Sequence, residues 1–482
     1  MKTRIRGRYV IGYDETEQTH VIYEPGELVY EGDEVLFVGK HYEGPVDHDV
    51  DATDCIVSPG LINGHALMDV SIYQYGFDRP REKGYHRPRS WVEGTDDIFT
   101  PEEIRKGAEL SFLNFARSGC TTILGITAMV FKRWDDPIYE PEIYAETARK
   151  MGLRAYVSHH YRSHAPYSGD GKKEFLVDPD KALQGLERCT EFIRKHHRVG
   201  DGMIGATLFP YTLDQNTPEI LQATAKAAEE LDVLVRMHTA QSQGEMEYLM
   251  QEHGMGPIEY LESLGVLSSR WLLTHSIYVG GNHKYSSEQD LKIMAERGVS
   301  VANCPWIYSF DGEYLNSISR YRRAGINMML GTDTFPQDLL REMRWGAMMA
   351  KVAEHSSTAG TSRELFDAVT VNPARFLGRE DIGRLAPGSK ADIVVVDCGR
   401  FSMGPTEDPI RSLVYFATGA DVKTVIVNGE KIVDDFRSLK VDEEKVVRHS
   451  QQVSDKVRDT LAGWNHPGED PREVYSPSYP RV

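Results

Sequence analysis

Residues 218–241 read Pro-Glu-Ile-Leu-Gln-Ala-Thr-Ala-Lys-Ala-Ala-Glu-Glu-Leu-Asp-Val-Leu-Val-Arg-Met-His-Thr-Ala-Gln. The part Pro218–Leu231 is rich in alanine, leucine and glutamate, a composition typical of a helix. The part Leu234–Ala240 is short and mostly apolar, which is typical of a buried strand. A helix followed by a buried strand is the repeating unit of α/β folds, so we expect further units on both sides.

The same alternation extends through the middle of the chain. The predicted strands are Cys55–Ser58, Thr121–Thr127, Arg154–His160, Gly202–Pro210, Leu234–Ala240, Arg270–Tyr278, Gly298–Pro305 and Ile326–Asp333. The predicted helices are Pro101–Arg117, Pro141–Met151, Pro179–Lys195, Pro218–Leu231, Glu245–Leu264, Ser287–Arg297, Leu315–Ala324 and Asp338–Glu354. Eight evenly spaced units favour an α/β fold of the closed (β/α)8 TIM-barrel type. An open, doubly wound sheet is the alternative.

The two ends of the chain have a different pattern, with short alternating strands separated by Gly and Asp turns. We expect both ends to pair into one small β-sandwich. The predicted domains are residues 1–58 and 384–440 for the sandwich, residues 59–383 for the barrel, and residues 441–482 for a C-terminal helix with an extended tail.

Composition excludes several functional classes. The 482 residues include 55 Lys and Arg against 73 Asp and Glu, a formal net charge of −18, without the basic block that nucleic-acid binding needs. No apolar run approaches the length of a membrane span, and the N-terminus lacks the apolar core of a signal peptide. Five scattered cysteines fit a reducing compartment. We therefore expect a cytoplasmic protein with no nucleic-acid or membrane partner. We also expect a homo-oligomer that acts on a small-molecule substrate.

Three histidines and one aspartate fall at the ends of four predicted strands: His65, His238, His275 and Asp333. Function in TIM barrels is found at the carboxyl ends of the strands. Imidazole nitrogens and a carboxylate oxygen are ligands typical of Zn²⁺, and the ion activates water for hydrolysis. The pattern therefore predicts metal-assisted hydrolysis. Taken singly, each histidine is equally compatible with a structural role, and Asp333 with a helix cap.

Five motifs extend this pattern over nearly the whole chain: Pro59-Gly-Leu-Ile-Asn-Gly-His65, Met237-His238-Thr-Ala-Gln241, Thr274-His275-Ser276, Gly331-Thr-Asp333 and Ile382–Asp397. In order and spacing they resemble the motifs of the amidohydrolase superfamily, in the branch of cytosine deaminase and the triazine hydrolases. The resemblance implies that His238 binds a metal and that His275 orients a water or a substrate carbonyl. It implies that Asp333 is both metal ligand and general base.

The resemblance also bears on the number of ions. Strand four, Met203–Phe209, has no lysine of the kind that bridges two metals in binuclear relatives, so one divalent ion is expected. Zinc is the first choice, with cobalt, iron or manganese as alternatives.

The strand-one motif departs from the His-X-His of the branch. Here it reads Asn63-Gly-His65-Ala-Leu67. In one alignment His65 takes the first ligand position and Leu67 the second, and Asn63 is a turn residue. In the other, Asn63 and His65 are both ligands, a variant similar to that of the phenylurea hydrolases and of molinate hydrolase.

Two further departures remove ionisable groups. Gln241 stands where deaminases of this branch have a glutamate that moves a proton, and an amide has no proton to titrate. Asn303 stands where relatives often have a histidine that reaches the substrate. Gln241 therefore argues against deamination. It suits a catalytic or carbonyl-binding role in the hydrolysis of an amide-like bond. The alternative is that its side chain only packs against its neighbours.

Aromatic residues cluster near the predicted strand ends. The candidates for substrate contact are Phe209, Tyr211, Trp306, Tyr73 and Trp91, together with Asn303. Such residues wall pockets for apolar or aromatic ligands, or simply pack loops together. The run His159-His160-Tyr-Arg162-Ser-His164 after strand three is also placed at the rim, and the sequence does not say which of its side chains faces a ligand.

The sequence thus predicts a mononuclear metal-dependent hydrolase. We expect it to cleave the C–N or C–S bond next to a carbonyl in a neutral amide-like substrate, such as a phenylurea, carbamate or thiocarbamate. An aminohydrolase that deaminates or dechlorinates an N-heterocycle, such as a triazine or pyrimidine, is the first alternative. A catalytically silent barrel with a binding role is the second.

Overall fold

The computed structural model describes residues 1–69, 87–94, 97–127, 132–169, 172–465 and 478–480. Its strands are β1 (Lys2–Asp14), β2 (Thr19–Tyr23), β3 (Gly26–Glu31), β4 (Glu34–Gly39), β5 (His48–Pro59), β6 (Leu61–Leu67), β7 (Cys120–Ile126), β8 (Arg154–His160), β9 (His164–Gly169), β10 (Lys172–Val177), β11 (Ile204–Phe209), β12 (Val235–Thr239), β13 (Trp271–His275), β14 (Ser300–Asn303), β15 (Asn327–Leu330), β16 (Ile393–Asp397), β17 (Val422–Val427), β18 (Glu430–Asp434) and β19 (Arg437–Ser438).

The helices lie mostly between the strands of the middle region. They are α1 (Arg89–Glu93), α2 (Pro101–Arg117), α3 (Glu140–Met151), α4 (Pro179–His196), α5 (Pro218–Leu231), α6 (Gln243–His253), α7 (Pro257–Ser263), α8 (Glu288–Glu296), α9 (Pro305–Phe310), α10 (Ile318–Arg323), α11 (Leu339–Glu354), α12 (Ser362–Asp367), α13 (Val371–Phe376), α14 (Pro409–Tyr415) and α15 (Glu443–Asn465).

Eight parallel strands form a barrel in the order β6-β7-β8-β11-β12-β13-β14-β15. A parallel bridge between Ala66 and Asp333 joins the last strand region to the first and closes the ring. The lower interior is filled by apolar side chains from successive strands, including Ile62, Leu124, Tyr156, Leu272, Ala302 and Met329. The predicted (β/α)8 fold is confirmed, because each buried strand run pairs in parallel with the next one.

The two chain ends build one nine-stranded sheet beside the barrel. Strand β5 lies in its middle, parallel to β1 and antiparallel to β16. The prediction that Cys55–Ser58 is the first barrel strand is therefore wrong. These residues belong to β5, and the first barrel strand begins at Leu61. Only Gly60 separates the two strands, and a Cβ there would lie 2.2 Å from Thr121 Oγ1. A glycine is needed where the chain passes this closely from sheet to barrel.

Two predicted helices end differently in the structure. The helix expected over 245–264 is two helices, α6 and α7, because Gly254 adopts a left-handed conformation (φ 66°) and Pro257 starts a new first turn. Helix α10 is shorter than predicted. The helix expected near the C-terminus is present as α15, and most of the tail beyond it lies outside the described residues.

All five cysteines are buried free thiols. Of the helices in the described ranges, none is at once long and apolar enough to cross a membrane. A buried ion pair links the barrel to the nine-stranded sheet: Arg154 at the start of β8 bonds to Asp392, just before β16, and also donates to Thr122 Oγ1 at 3.0 Å. This pair holds the two parts of the molecule in register.

Candidate active site

Three histidine rings meet at the carboxyl end of the barrel. His65 lies on β6, His238 on β12 and His275 at the last position of β13, and all three are buried. The ring centroids are 5.1 Å apart for His65 and His238, 5.2 Å for His65 and His275, and 5.3 Å for His238 and His275. One nitrogen from each ring lies within 4.8 Å of the other two. Strand ends that are distant in sequence thus present their imidazoles to one point.

Asp333 faces this point from the end of the eighth barrel strand. Its carboxylate oxygens are 3.9 Å from His65 Nε2 and 3.8 Å from His275 Nε2. Asp333 has a φ of 55° and His275 a φ of 74°, both in the left-handed region that non-glycine residues rarely adopt. Strained backbone of this kind is concentrated at functional sites. It directs side chains toward positions that they would not reach from a regular strand.

Burial controls the charge of the cluster. It lowers the pKa of His238 to about 3 and lowers the pKa values of His65 and His275 well below their usual range, so the three rings are neutral. Burial also raises the pKa of Asp333 to about 7, although the nearby Arg236 acts in the opposite direction. A neutral imidazole has a lone pair on one ring nitrogen that can bind a cation, and a cation would in turn stabilise the Asp333 carboxylate.

Sequence reasoning missed Arg236. This residue lies two positions before His238 on β12, fully buried, and its guanidinium donates to His65 Nδ1 at 2.6 Å and to the Gly125 carbonyl at 3.2 Å. Because a guanidinium only donates, Nδ1 accepts, and the proton of a neutral His65 ring lies on Nε2 until a cation displaces it. The period-two alternation of a strand places residue 236 on the same face as His238, which is the signal that was available.

The residues present fit a divalent ion. His65 Nε2 is buried and has no hydrogen-bond partner among the described residues. His238 donates its Nδ1 proton to the Tyr211 carbonyl at 2.8 Å, which leaves Nε2 free, the usual arrangement of a metal-binding histidine. Three imidazoles and one carboxylate are a zinc-type donor set, and Cys304 Sγ lies close to His275 and Asp333 as well.

Asn63 is held by the backbone. Its Oδ1 accepts from the N–H groups of His65 at 3.3 Å and Thr332 at 3.2 Å, and its Nδ2 donates to Thr332 Oγ1 at 2.9 Å. The oxygen that would bind an ion therefore already has two donors. This geometry favours the alignment in which His65 takes the first ligand position and Leu67 the second, and it speaks against Asn63 as a ligand.

Replacing Asn63 by Ala is expected to lower the free energy of unfolding by about 1–3 kcal/mol, because two buried N–H groups lose their acceptor. We expect the zinc affinity of the folded protein to change less than tenfold. Urea titration and a competitive zinc-chelator titration measure the two quantities. A loss of zinc affinity of a hundredfold or more with unchanged stability would instead identify Asn63 as a ligand.

Gln241 lies beside the cluster with both ends of its amide engaged. Nε2 donates to Thr212 Oγ1 at 3.0 Å, and Oε1 accepts from the Tyr308 hydroxyl at 3.4 Å. The backbone N–H of Gln241 donates to the buried Glu245 carboxylate at 2.9 Å. Burial raises the pKa of Glu245 to about 8. Gln241 is thus a fixed polar wall of the site.

The aromatic candidates divide into two groups. Phe209 and Tyr211 contact His238, with ring centroids 5.3 and 5.1 Å away. Trp306 packs against Trp345 and Phe310 instead, whereas Tyr308 on the same helix contacts His275 at 4.7 Å.

The other substrate-contact candidates have separate surroundings. Trp91 is buried under the Arg133 guanidinium, 3.7 Å from the ring centroid. Asn303 is buried, and its Nδ2 has no partner among the described residues. Tyr73 lies outside the described residues.

A closed barrel with a histidine and aspartate cluster at its carboxyl end defines a class of metal-dependent barrel proteins. The amidohydrolase family model matches residues 56–432, and the chain belongs to this family. It is 29% identical over 468 residues to a 5-methylthioadenosine/S-adenosylhomocysteine deaminase of Desulforudis audaxviator, covering 96% of this chain and 100% of the relative.

Solved structures share the fold. An adenosine deaminase of Xanthomonas campestris with bound zinc superposes with a TM-score of 0.79 at 22% identity, covering 95% of this chain and 98% of the other. An atrazine chlorohydrolase of Arthrobacter aurescens complexed with zinc has a TM-score of 0.78 at 24% identity, covering 94% of this chain and 100% of the other. At these identities the similarity establishes the fold.

Proposed function

We propose that this chain is a metal-dependent aminohydrolase that replaces an amino or comparable leaving group on an N-heterocycle by oxygen. The observation that carries the proposal is the cluster of His65, His238, His275 and Asp333, a zinc-type donor set at the carboxyl end of an amidohydrolase barrel. The names of the relatives, an adenosine-type deaminase and a chlorotriazine hydrolase among them, support this reaction over the phenylurea hydrolysis expected from the sequence.

In this proposal a single divalent ion, zinc first, is held by His65, His238 and Asp333, with His275 beside it. When bound, the ion supplies Lewis acidity and makes water a nucleophile near neutral pH. Asp333 accepts the proton of the attacking water, and His275 hydrogen-bonds to the oxygen that is added to the substrate. Phe209, Tyr211 and Tyr308 wall the space around the cluster and exclude bulk water.

Gln241 supports a second candidate, hydrolysis of a urea, carbamate or other amide-like bond. Both ends of its amide are engaged, and an amide has no ionisable proton to deliver to a ring nitrogen. In an amide-like substrate, an ion would polarise the carbonyl group, and water could then attack the carbonyl carbon without prior proton transfer to a nitrogen. This candidate keeps the hydrolytic centre and changes only the substrate.

A substrate panel distinguishes the two candidates. We expect the full-length protein, loaded with one equivalent of Zn²⁺, to release ammonia from adenosine-type nucleosides or aminotriazines, or chloride from chlorotriazines. We expect a metal chelator to abolish this turnover and added Zn²⁺ to restore it. Turnover confined to phenylureas, carbamates or thiocarbamates supports the second candidate. No turnover of any compound by the zinc-loaded protein would contradict both.

A further inference from the structure

The histidine at the end of the third barrel strand points into the barrel. Strands β8 and β11 pair in parallel with Ser158 opposite Thr207 and His160 opposite Phe209. The hydroxyls of Ser158 and Thr207 are 2.6 Å apart, so both side chains lie on one face of the sheet. His160 and Phe209, two residues further along, lie on the same face. Since Phe209 contacts His238, His160 belongs to the ring of residues around the candidate metal centre.

A buried aspartate holds this imidazole. His160 Nδ1 lies 2.7 Å from Asp136 Oδ1, an ion-pair distance, and 3.1 Å from Thr127 Oγ1, and the side chains of His160 and Asp136 are completely buried. Asp136 Oδ2 also accepts from the backbone N–H of His160 at 2.9 Å and from Thr127 Oγ1 at 2.9 Å. Burial alone would raise the pKa of Asp136, but the charge and hydrogen bond of His160 lower it overall. The aspartate thus stays ionised and fixes the ring with Nδ1–H directed away from the cavity.

The opposite nitrogen of the ring, Nε2, is unpaired within the part of the chain that the structure describes. His160 Nε2 is buried and makes no hydrogen bond with any residue in the described ranges. The His160 ring lies 5.5 Å from the ring of Tyr211, which in turn lies 5.1 Å from the ring of His238. A buried ring nitrogen without a partner is costly unless a ligand satisfies it. The His160 ring is thus one aromatic ring away from the candidate metal centre.

We propose that His160, oriented by Asp136, is the proton donor to the leaving nitrogen of the substrate, a role that Gln241 lacks the proton to fill. This inference rests on the proposed aminohydrolase function and adds a catalytic residue to it. An aspartate behind a histidine that faces a substrate is a common arrangement for proton transfer, because the aspartate orients the ring and stabilises its protonated form.

The atoms balance as follows in deamination. The oxygen of water bonds to the ring carbon, and the bond from that carbon to the amino nitrogen breaks with its electron pair on nitrogen. The proton of His160 Nε2 forms the new N–H bond of the departing ammonia. Asp333 takes the first proton of the attacking water and passes it to the ring nitrogen, where it stays in the product. The second proton, lost by the added oxygen as it becomes the carbonyl, restores His160.

Several ionisable groups surround His160. Asp136 is bonded to it, Tyr211 faces it from the end of β11, and the ring of His159 is 6.4 Å away. Lys132 acts on Asp136 from the loop after β7. His159 lies on the alternate face of β8, where burial lowers its pKa and the charges of Asp136, His160 and Arg188 act on it. His159 is therefore a matched control. It is a buried histidine that directly precedes His160, and its side chain does not lie on the inner face of the barrel that carries His238.

The experiment compares a substrate that needs a proton on its leaving group with one that does not. Zinc-loaded wild type, His160→Gln, Asp136→Asn and His159→Gln are assayed with adenosine and with the nucleoside in which chlorine replaces its amino group. An aminotriazine and its chloro counterpart form a second pair. Chloride departs without a proton, so its release does not depend on an acid.

We expect His160→Gln to lower kcat for ammonia release by about 10²–10³-fold and kcat for chloride release by less than about tenfold. Asp136→Asn is expected to show the same selectivity with a smaller loss. His159→Gln is expected to leave both rates within about threefold of wild type, and zinc content is expected to be equal in all four proteins.

Two outcomes overturn the role of His160. One is an equal loss of ammonia and chloride release in His160→Gln with full zinc content, which indicates a structural role. The other is unchanged ammonia release. A wild type that turns over neither pair contradicts the proposed function itself, and this inference falls with it, so the two failures are distinguishable.

Discussion

Replacement of Asp333 by Asn is expected to lower kcat/KM by about 10⁴-fold. In the proposed function Asp333 is both proton acceptor and metal ligand, so the substitution would remove an acceptor worth about 10²–10⁴ in rate and weaken the binding of the ion at the same time. Its carboxylate lies within 4 Å of both His65 and His275, so no other described carboxylate is placed to replace it in the cluster. Initial rates on the best substrate of the panel, with zinc content measured on the same sample, test this expectation.

The backbone at Asp333 makes this substitution a clean one. Its φ of 55° is in the left-handed region, which asparagine tolerates almost as well as aspartate, so the turn should be kept. Asp232 is the matched control, because it is exposed and follows the last residue of α5 with a φ of 52°. It lies before the start of β12, whereas His238 lies near the end of that strand. We expect Asp232→Asn to retain wild-type activity. Activity within tenfold of wild type in Asp333→Asn would contradict the proposed role.

Replacement of Asp392 by Asn is expected to lower the free energy of unfolding by about 3–5 kcal/mol. Arg154 and Asp392 form a fully buried ion pair, and removal of one partner leaves the other charge without compensation in a region that excludes water. Asp392 Oδ1 also accepts from the backbone N–H of Asn428 at 2.8 Å. The pair connects β8 of the barrel to the sheet built from both chain ends, so its loss weakens the junction between them.

Urea titration followed by two independent probes measures this effect, and coincident curves show that the transition is cooperative. Combining Arg154→Met with Asp392→Asn is expected to cost less than the sum of the single changes, because neither charge is left alone. The exposed pair Arg458 and Asp459, 2.8 Å apart, is the control, and Asp459→Asn is expected to cost less than about 1 kcal/mol. A cost below that value for Asp392→Asn would contradict the prediction.

The architecture was largely predictable from local pattern. The alternation of strand and helix predicted the barrel and placed the start of α2 at Pro101, where the structure shows a capping box between Thr100 and Glu103. The errors come from contacts between distant segments. Residues 55–58 look like any buried strand and were counted among the barrel strands, although the predicted sandwich domain extended to residue 58. Their pairing with β1 and β16 shows that they belong to the nine-stranded sheet.

Site residues could be predicted where a residue type that commonly binds metals falls at the end of a predicted strand. His65, His238, His275 and Asp333 could be chosen because metal-binding residue types ended four predicted strands. Arg236 could not be chosen in the same way, because arginine within a strand usually signals an exposed face. Only the closed barrel shows that it donates to His65 from the interior.

The sequence by itself determined the fold class, the family motifs and the choice of the four residues, three histidines and one aspartate, that the structure brings together. These depend on period, residue type and order along the chain, which are local properties. The tertiary structure decided that the Asn63 amide is bound to the backbone and that His160 Nε2 is buried with no hydrogen-bond partner among the described residues. Both depend on which atoms of distant strands approach within hydrogen-bonding distance, and this is set only when the barrel closes and strand register becomes fixed.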